Sequence, residues 1–306
     1  MVKLYKNFNI KNIHKNSIIL IGNFDGVHLG HQKLFKLANS YKKKYKLKIG
    51  VVNFDPMPKM FFNRSLKNFR ITSISQKVDL LSKLKVDFII TKKFDKLFSK
   101  TKSINFIKEI LYKKLKSKFI FVSNNFRFGN KREGNVDLLI KNEDKYNFKV
   151  VKPEPLIKQQ KIISSTLIRK LLEEGKLLKA NTFLKRNWEI EGKVQRGRMM
   201  GQKIGFPTCN IDIGDYVIAK PGVYAVKARI NDKKKFYKGI ANLGYRPTFN
   251  QNKILLEVNI FNFSGNLYNK KLSVEFLKFI RGEKKFKGIS ELKKQINKDI
   301  LKAKKT

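Results

Sequence analysis

Two of the three histidines in the chain lie three residues apart in residues 22–31, which read GNFDGVHLGH. This segment stands between an apolar run and a segment with helical spacing, so His28 and His31 face the same way at the start of a predicted helix. A helix N-terminus offers unpaired N–H groups and a positive dipole end, which attract phosphate. Two imidazoles there could hydrogen-bond phosphoryl oxygens as charge builds in a transition state, and Gly30 would permit close backbone approach. A structural alternative, in which one histidine caps the helix and the other packs, is less favoured in this setting.

A second group of polar residues begins another predicted helix. Ser164, Ser165 and Thr166 alone would be an ordinary N-cap, but Arg169, one turn inside, supplies a fixed cation suited to forked contacts with phosphate. Residues 124–129 (Asn-Asn-Phe-Arg-Phe-Gly) follow a predicted strand and are aromatic enough to hold a planar ring. On its own, that last signal is weak.

Further along the chain, three glycines spaced four residues apart precede two residues whose side-chain oxygens could bind a metal ion. Gly197, Gly201 and Gly205 are typical of a loop whose N–H groups cradle phosphate, and a flexible connection is the alternative. Thr208 and Asn210 would point the same way in an extended segment. Their two hard oxygens suit Mg²⁺ bound with ATP, because phosphates and water supply most of the ligands of that ion.

Glu257 lies in the middle of the predicted strand ILLEVNIF, between apolar residues. A carboxylate is costly to bury unpaired, so Glu257 either faces solvent or has a function. The single cysteine, Cys209, excludes an internal disulfide framework and fits a packing role better than a nucleophilic one. With three histidines and one cysteine, a structural zinc site with several ligands is not expected.

Two kinds of periodicity position these residues. Apolar runs alternate with helical segments up to residue 152, which predicts a mostly parallel, Rossmann-like sheet with ligands at the carboxyl ends of its strands. The predicted strands are residues 17–22, 48–54, 87–91, 118–122 and 148–151. The predicted helices are residues 30–45, 76–85, 103–115 (with Ser103 as N-cap) and 135–143.

From Trp188 onward, polar and apolar residues alternate every second position. This pattern, with turn signals between the runs, predicts a small antiparallel β-barrel closed by a C-terminal helix at 291–302. The predicted strands are residues 188–195, 222–230, 236–242, 254–261 and 272–279. The domains are therefore expected at residues 1–183 and 184–306.

Composition bounds the class of protein. The 306 residues carry a net charge of +46 and are 42% hydrophobic, so the chain is not a disordered polycation. No run is long enough to span a membrane and no signal peptide is evident, so a cytoplasmic globular protein is expected. The charge suggests a nucleic-acid-binding protein, but lysines occur throughout without a stripe or tail. A lysine-rich background composition is favoured, with no specific nucleic acid as partner and ATP as a sufficient polyanion.

The motifs resemble, in order, the two halves of the bifunctional bacterial riboflavin kinase/FAD synthetase family. In the adenylyltransferase half, the matches are GNFDGVHLGH, FRFG at 126–129 and ISST at 163–166 with Arg169. In the kinase half, they are GKVQRGRMMGQKIGFPTCN, PGVYAV, GIANLGYRPTF, LEVNIF and LSVEFLKFIRGEKKF. The resemblance implies an enzyme that phosphorylates riboflavin to FMN with Mg-ATP and then adenylylates FMN to FAD, with small molecules as partners and self-association left open.

The resemblance also implies residue roles. Glu257 would be the base of the kinase, Thr208 and Asn210 would contact magnesium, and His28, His31 and Arg169 would carry the adenylyl transfer. Phosphate or ATP contacts would come from Gly22, Asn23, Phe24, Gly30, Ser164, Ser165, Thr166, Gly197, Gly201 and Gly205. The flavin would be bound by Asn125, Phe126, Arg127, Phe128 and Arg281.

Two positions depart from the usual pattern of the family. Met57 stands in Pro-Met-Pro where the family usually has Pro-His-Pro, and it cannot hydrogen-bond as an imidazole would. Asn125 replaces a carboxylate. A riboflavin kinase with an impaired adenylyltransferase half is therefore the alternative within the family.

Overall fold

The computed structural model describes residues 2–196, 200–231, 233, 235–248 and 251–306. The chain divides into two compact units, one formed by Met1–Lys67 and Ile74–Ser164, the other by Asn68–Ser73 and Ser165–Thr306. Helices in the 165–184 range thus belong with the second unit. The expected domain limits of 1–183 and 184–306 stay a prediction.

A parallel six-stranded sheet forms the centre of the first unit, in the order β1-β4-β3-β2-β5-β8. Its strands are β1 (Lys3–Tyr5), β2 (Ile18–Ile21), β3 (Ile49–Asp55), β4 (Phe88–Lys93), β5 (Phe119–Phe121) and β8 (Lys149–Val151). Two short pairs lie outside it, namely β6 (Arg127–Phe128) with β7 (Gly134–Asn135) and β9 (Ile157–Lys158) with β10 (Lys161–Ile162). The Rossmann-like prediction is confirmed, and β1 is a strand that the apolar pattern did not reveal.

Helices connect these strands. They are α1 (Leu29–Tyr45), α2 (Pro58–Phe62), α3 (Ile74–Ser82), α4 (Lys96–Ser99), α5 (Ser103–Asn105), α6 (Val136–Lys141) and α7 (Glu143–Tyr146), with a π-helix at Phe106–Lys114 after α5. Lys102, not Ser103, is the N-cap of α5, so that prediction was wrong. The backbone N–H of Ser103 instead donates to Glu133 Oε1 at 2.6 Å, which satisfies one of the first-turn donors from outside the helix.

Apolar clusters cover both faces of the sheet. On one face, Leu20 and Val51 pack with Phe35 and Ala38 of α1 and with Leu81 of α3. The opposite face carries a second cluster built around the π-helix. Burial on both sides explains why the strands are continuous apolar runs.

The second unit contains a closed barrel in the order β11-β12-β15-β14-β13-β16, with every pairing antiparallel. Its strands are β11 (Trp188–Gln195), β12 (Cys209–Asp212), β13 (Gly222–Ile230), β14 (Phe236–Thr248), β15 (Gln251–Ile260) and β16 (Lys271–Gly282). The barrel prediction is confirmed. The strand β12 was not predicted, because its four residues (Cys-Asn-Ile-Asp) form neither a continuous apolar run nor a stretch long enough to show a period.

Among the described residues of the second unit, the helices are α8 (Ser165–Glu173), α9 (Leu177–Leu184), α10 (Met200–Lys203) and α11 (Ile289–Lys304). The C-terminal helix α11 packs Ala303 and Ile300 against apolar barrel residues that include Val223 and Ile240. The described part of the chain contains no helix long and apolar enough to cross a membrane.

Two candidate active sites

The histidine pair lies where β2 gives way to α1. His28 is the N-cap of α1, and its Nδ1 accepts from the backbone N–H of His31 at 3.4 Å. The two imidazole rings stack with their centroids 3.7 Å apart, and His28 is 4% exposed. His31 Nδ1 is buried and has no hydrogen-bond partner within the described residues. The sequence thus predicted both the shared orientation of the histidines and their place at the helix start. The contacts of the structural alternative are present as well, since His28 caps α1 and the His31 ring packs against Phe24.

The electrostatics of His31 favour its neutral form. Burial lowers the pKa of His31 well below its ordinary value, and the nearby His28 and Lys77 lower it further. A neutral imidazole carries one N–H, so it can still donate a hydrogen bond to a phosphoryl oxygen. At neutral pH, His31 therefore offers hydrogen bonding rather than full charge.

Small and aromatic residues hold this loop in a close turn. A Cβ on Gly30 would lie 2.9 Å from the Ile163 carbonyl oxygen and 3.1 Å from His28 Cε1, so only glycine fits there without a shift. Phe24 adopts a left-handed conformation with φ of 46°, and its ring meets His31 edge-on at 5.3 Å. A Cβ on Gly22 would approach that ring to 3.1 Å. The buried Phe24 ring thus packs against His31 and helps to fix the position of its imidazole.

The predicted flavin residues of the first unit border a small aromatic cavity. Phe126, Arg127 and Phe128 line a cavity of about 120 Å³. Its other walls are mainly phenylalanines, namely Phe54, Phe62, Phe94, Phe98 and Phe106. The rings of Phe126 and Phe128 stack at 5.4 Å. Asn125 is exposed, and its Oδ1 accepts from Ser123 Oγ at 3.0 Å. Met57 is 2% exposed, so it packs rather than meeting solvent.

Arg169 lies in α8 and belongs to the second unit. It is 9% exposed; its Nε donates to the Phe69 carbonyl at 2.7 Å, and its guanidinium lies 3.7 Å from the centre of the Phe69 ring. These contacts fix the cation in one orientation. The helix begins at Ser165, with Thr166 in its first turn and Ser164 immediately before it.

The barrel contains a cavity of about 430 Å³ that brings together most of the predicted kinase residues. Thr208, Asn210, Glu257, Gly201 and Arg281 all line it. Its apolar walls come from barrel and α11 residues, which include Val223, Ile240, Phe286, Ile289, Leu292, Ile296 and Ile300. A concave, mostly apolar space with a few converging polar groups is the usual form of a small-molecule site.

Strand register sets the polar wall of this cavity. Glu257 on β15 is paired with Asn210 on β12 and with Asn242 on β14. Because directly paired residues point to the same side of a sheet, the three side chains lie next to one another on one side of the barrel wall. Asn210 is 7% exposed, and its Oδ1 is buried with no hydrogen-bond partner among the described residues. An unpaired buried oxygen beside the Thr208 hydroxyl and the Glu257 carboxylate fits a hard cation such as Mg²⁺.

The glycine-rich loop comes close to Thr208. A Cβ on Gly201 would lie 2.4 Å from the Phe206 carbonyl oxygen and 3.1 Å from Thr208 Oγ1. The N–H groups of Ile204, Gly205 and Phe206 already donate to carbonyls of residues 201 and 202, so phosphate contacts would come from other donors. Gly197 lies outside the described residues.

A partly buried ion pair lines the same cavity. Arg281 Nε donates to Asp299 Oδ2 at 2.8 Å, and Gln295 donates to the other oxygen of that carboxylate at 2.8 Å. Asp299 is 1% exposed. The guanidinium of Arg281 also lies 5.7 Å from the ring centre of Phe286. The pair ties α11 to β16 and sets the position of Arg281.

Cys209 lies between the two oxygen-bearing residues but is not part of their cavity wall. Its thiol donates to the Val258 carbonyl at 3.4 Å, and burial raises the pKa of Cys209 to about 12. The thiolate is the reactive form of cysteine, so Cys209 is unreactive at neutral pH. This agrees with a packing role.

Several polar residues of these sites were not identified from the sequence, among them Asn242, Asp299 and Asn53. Asn242 and Asp299 line the barrel cavity, and Asn53 at the end of β3 is 2% exposed with an unpartnered Oδ1. The register with Glu257 could have revealed Asn242, because residues on paired strands share a face. Neither Asn53 nor Asp299 has a local signal.

Comparison with known proteins gives a different family model for each of the two candidate sites. A family model described as FAD synthetase matches residues 10–167, and one described as riboflavin kinase matches residues 184–306. A bifunctional riboflavin kinase/FMN adenylyltransferase of Buchnera aphidicola subsp. Schizaphis graminum is 44% identical over 95% of this chain and 94% of its own length. The Escherichia coli protein of the same name is 35% identical over 94% of this chain and 91% of its own length.

Among solved structures, a chain described as a macrolide-efflux protein from Streptococcus pneumoniae is similar along its whole length. The match has a TM-score of 0.87 and 26% sequence identity, and it covers 99% of this chain and 98% of that one.

Proposed function

The chain belongs to the family of bifunctional riboflavin kinase/FMN adenylyltransferases, and from this premise we propose that it converts riboflavin to FMN and FMN to FAD. The single observation that best supports the proposal is the barrel cavity, in which Glu257, Asn210 and Thr208 line one wall. The histidine pair at the start of α1 supports the second step.

In the proposed kinase step, the 5′-hydroxyl oxygen of the riboflavin side chain attacks the γ-phosphorus of ATP. The bond from the γ-phosphorus to its bridging oxygen breaks, ADP leaves, and the hydroxyl proton goes to the Glu257 carboxylate. Such general-base help typically gives about 10²–10⁴-fold, and positioning supplies the rest. Thr208 and Asn210 would hold Mg²⁺, which would neutralise phosphate charge when bound with ATP.

Arg281 is proposed to shape the flavin end of the same cavity. Asp299 accepts from its guanidinium and is itself held by Gln295, so Arg281 presents a fixed edge and a stacked surface toward Phe286. A planar tricyclic ring is bound most favourably by such flat, preorganised groups.

In the proposed adenylyl step, a phosphate oxygen of FMN attacks the α-phosphorus of ATP. The bond from the α-phosphorus to the α,β-bridging oxygen breaks, and pyrophosphate takes the electron pair. No proton has to be removed from the nucleophile, so no protein base is needed. His28 and His31 are proposed to hydrogen-bond phosphoryl oxygens, with Arg169 as a further phosphate contact.

The remaining phosphate-binding and flavin-binding roles are also proposals. Gly22, Gly30, Asn23 and Phe24 would form or support the phosphate loop of the first unit. Ser164, Ser165 and Thr166 would be further phosphate contacts. The aromatic cavity bordered by Phe126, Arg127 and Phe128 would take the flavin ring of FMN, with Asn125 at its rim. Gly201 and Gly205 would position ATP in the second unit.

The proposed partners are riboflavin, FMN and ATP, and the proposed compartment is the cytoplasm, because both steps consume ATP. Weak self-association and the lack of a specific nucleic-acid partner stay predictions. A salt series separates the last point from the charge-based alternative, since binding to a polyanion falls steeply as salt rises.

The direct experiment incubates purified protein with riboflavin and Mg-ATP and resolves the flavins by chromatography. We expect FMN first and FAD after it, and neither product without ATP. FMN without FAD, also when FMN is supplied, would identify a kinase with an impaired adenylyltransferase half. Tight, saturable binding of an oligonucleotide at physiological salt without flavin turnover would refute the enzymatic function.

A further inference from the structure

A buried lysine stands at the beginning of α3. Lys77 is 2% exposed, although lysine is among the residues that are rarely buried. It lies in the first turns of a helix that has no acidic residue in its first turn, at the end where the helix dipole disfavours a cation. Two local preferences are broken at one residue, a pattern that is typical of functional positions.

The topology places Lys77 at the same edge of the sheet as the histidine pair. The helix α1 follows β2 and α3 precedes β4, and both strands belong to one parallel sheet, so both helices begin at the carboxyl ends of the strands. Leu81 of α3 and Phe35 of α1 pack into one apolar cluster, so the helices cover the same face. The charge of Lys77 also acts on His31, whose pKa it helps to lower.

Asn53 lies between the two helix starts. Its strand, β3, pairs with β2 on one side and β4 on the other. Asn53 alternates with Ile49 and Val51, which pack on the α1 face, so its side chain points to that face. It is 2% exposed, and its Oδ1 has no hydrogen-bond partner among the described residues. A buried acceptor without a donor is costly, which indicates a ligand that supplies one.

We infer that Lys77 binds the pyrophosphate portion of ATP in the FMN adenylyltransferase site, and that Asn53 accepts a hydrogen bond from an N–H or O–H group of the same nucleotide. The inference rests on the proposed adenylyltransferase function. Pyrophosphate gains charge as its bond to the α-phosphorus breaks, and a lysine ammonium is a suitable point charge for it. With His31 neutral, Lys77 supplies a full positive charge beside the pair.

The reverse reaction isolates this contact. A pyrophosphate oxygen attacks the adenylyl phosphorus of FAD, FMN leaves, and ATP forms, so the KM for pyrophosphate can be measured separately from the KM for FAD. Lys77→Met removes the charge at similar length, and Lys77→Arg keeps the charge. Lys83→Met is the matched control, because Lys83 is exposed just beyond the end of α3.

We expect Lys77→Met to raise the KM for pyrophosphate about 10–100-fold, the range of a hydrogen bond to a charged group, and to leave the KM for FAD within a few-fold. Lys77→Arg should recover most of the loss, and Lys83→Met should match the wild type. Phosphorylation of riboflavin by the same preparations shows that the chain is folded. If Lys77→Met does not fold, Lys77→Gln, which removes the charge but keeps a hydrogen-bonding group, takes its place.

A structural role for Lys77 would give a different result. An unchanged KM for pyrophosphate in a folded charge-removing variant would overturn the inference, as would an equal rise in the KM for FAD. The pKa of His31, followed by NMR, should rise in Lys77→Met because a neighbouring positive charge is removed. An unchanged pKa would contradict the proximity of Lys77 to His31. Failure of the wild-type protein to form FAD from FMN would instead refute the proposed function itself.

Discussion

Replacing Gly201 with alanine should slow riboflavin phosphorylation and leave FMN adenylylation unchanged. The new Cβ would lie 2.4 Å from the Phe206 carbonyl oxygen, whereas ordinary contact begins at 3.4 Å, so the loop must open by about 1 Å. The same methyl group would lie 3.1 Å from Thr208 Oγ1. Any opening of the loop therefore displaces the hydroxyl that is proposed to contact magnesium.

The size of the effect follows from that displacement. A misplacement of about 1 Å in a catalytic group can lower a rate about 10²-fold. Alanine is favoured over glycine in a helix by about 1 kcal/mol, so we expect the short helix α10, which contains Gly201, to persist. The variant should therefore fold and bind riboflavin, but form FMN about 10²-fold more slowly.

The assay compares initial rates of FMN formation for Gly201→Ala, Gly282→Ala and the wild type at saturating Mg-ATP. Gly282 ends β16, and a Cβ there would meet nothing within 4 Å, so Gly282→Ala should keep most of the activity. FAD formation from supplied FMN serves as the folding control. A Gly201→Ala rate within three-fold of the wild type would show that the close approach to Phe206 and Thr208 does not position the catalytic groups.

Three other predictions concern single groups. Glu257→Gln should lower kcat for FMN formation about 10²–10⁴-fold with a nearly unchanged KM for riboflavin, and a rate near the wild type would show that another group accepts the proton. The depressed pKa of His31 means that the unfolded chain takes up the proton first as pH falls through about 6.5, so the free energy of unfolding should decrease from pH 7 to pH 5. Denaturant titrations of His31→Asn should show a shallower decrease, and an unchanged pH dependence would argue against a buried neutral His31. Because the pKa of Cys209 is raised to about 12, the folded protein should react with iodoacetamide at pH 8 far more slowly than the unfolded protein, and equal rates would contradict the burial of this thiol.

Most of the fold could be predicted because buried strands and amphipathic helices leave strong periodic signals. The strand Ile18–Ile21 is entirely apolar and Trp188–Gln195 alternates, and the predicted ranges 17–22 and 188–195 match these observed bounds closely. The strand Cys209–Asp212 shows no such signal, since it is short and carries a polar residue for the cavity. Its presence depends on pairing with β11 and β15, which is a tertiary property.

The residues of the candidate sites also differ in whether the sequence alone reveals them. Histidine is sparse in this chain, with three in 306 residues, so His28 and His31 stand out by type and spacing. Lys77 is one lysine in a chain with 69 lysines and arginines, so only its burial distinguishes it. Asn53 is likewise an ordinary residue until its unpaired oxygen is located at the sheet edge.

The central claim is that one chain carries two separate transfer sites acting in sequence. The most direct test supplies riboflavin and Mg-ATP, or FMN and Mg-ATP, to Glu257→Ala and to His28→Ala, and quantifies FMN and FAD. We predict that Glu257→Ala makes FAD from FMN but nothing from riboflavin, and that His28→Ala stops at FMN. Loss of both activities in either folded variant, or FAD formation from riboflavin by both, would contradict the two-site account.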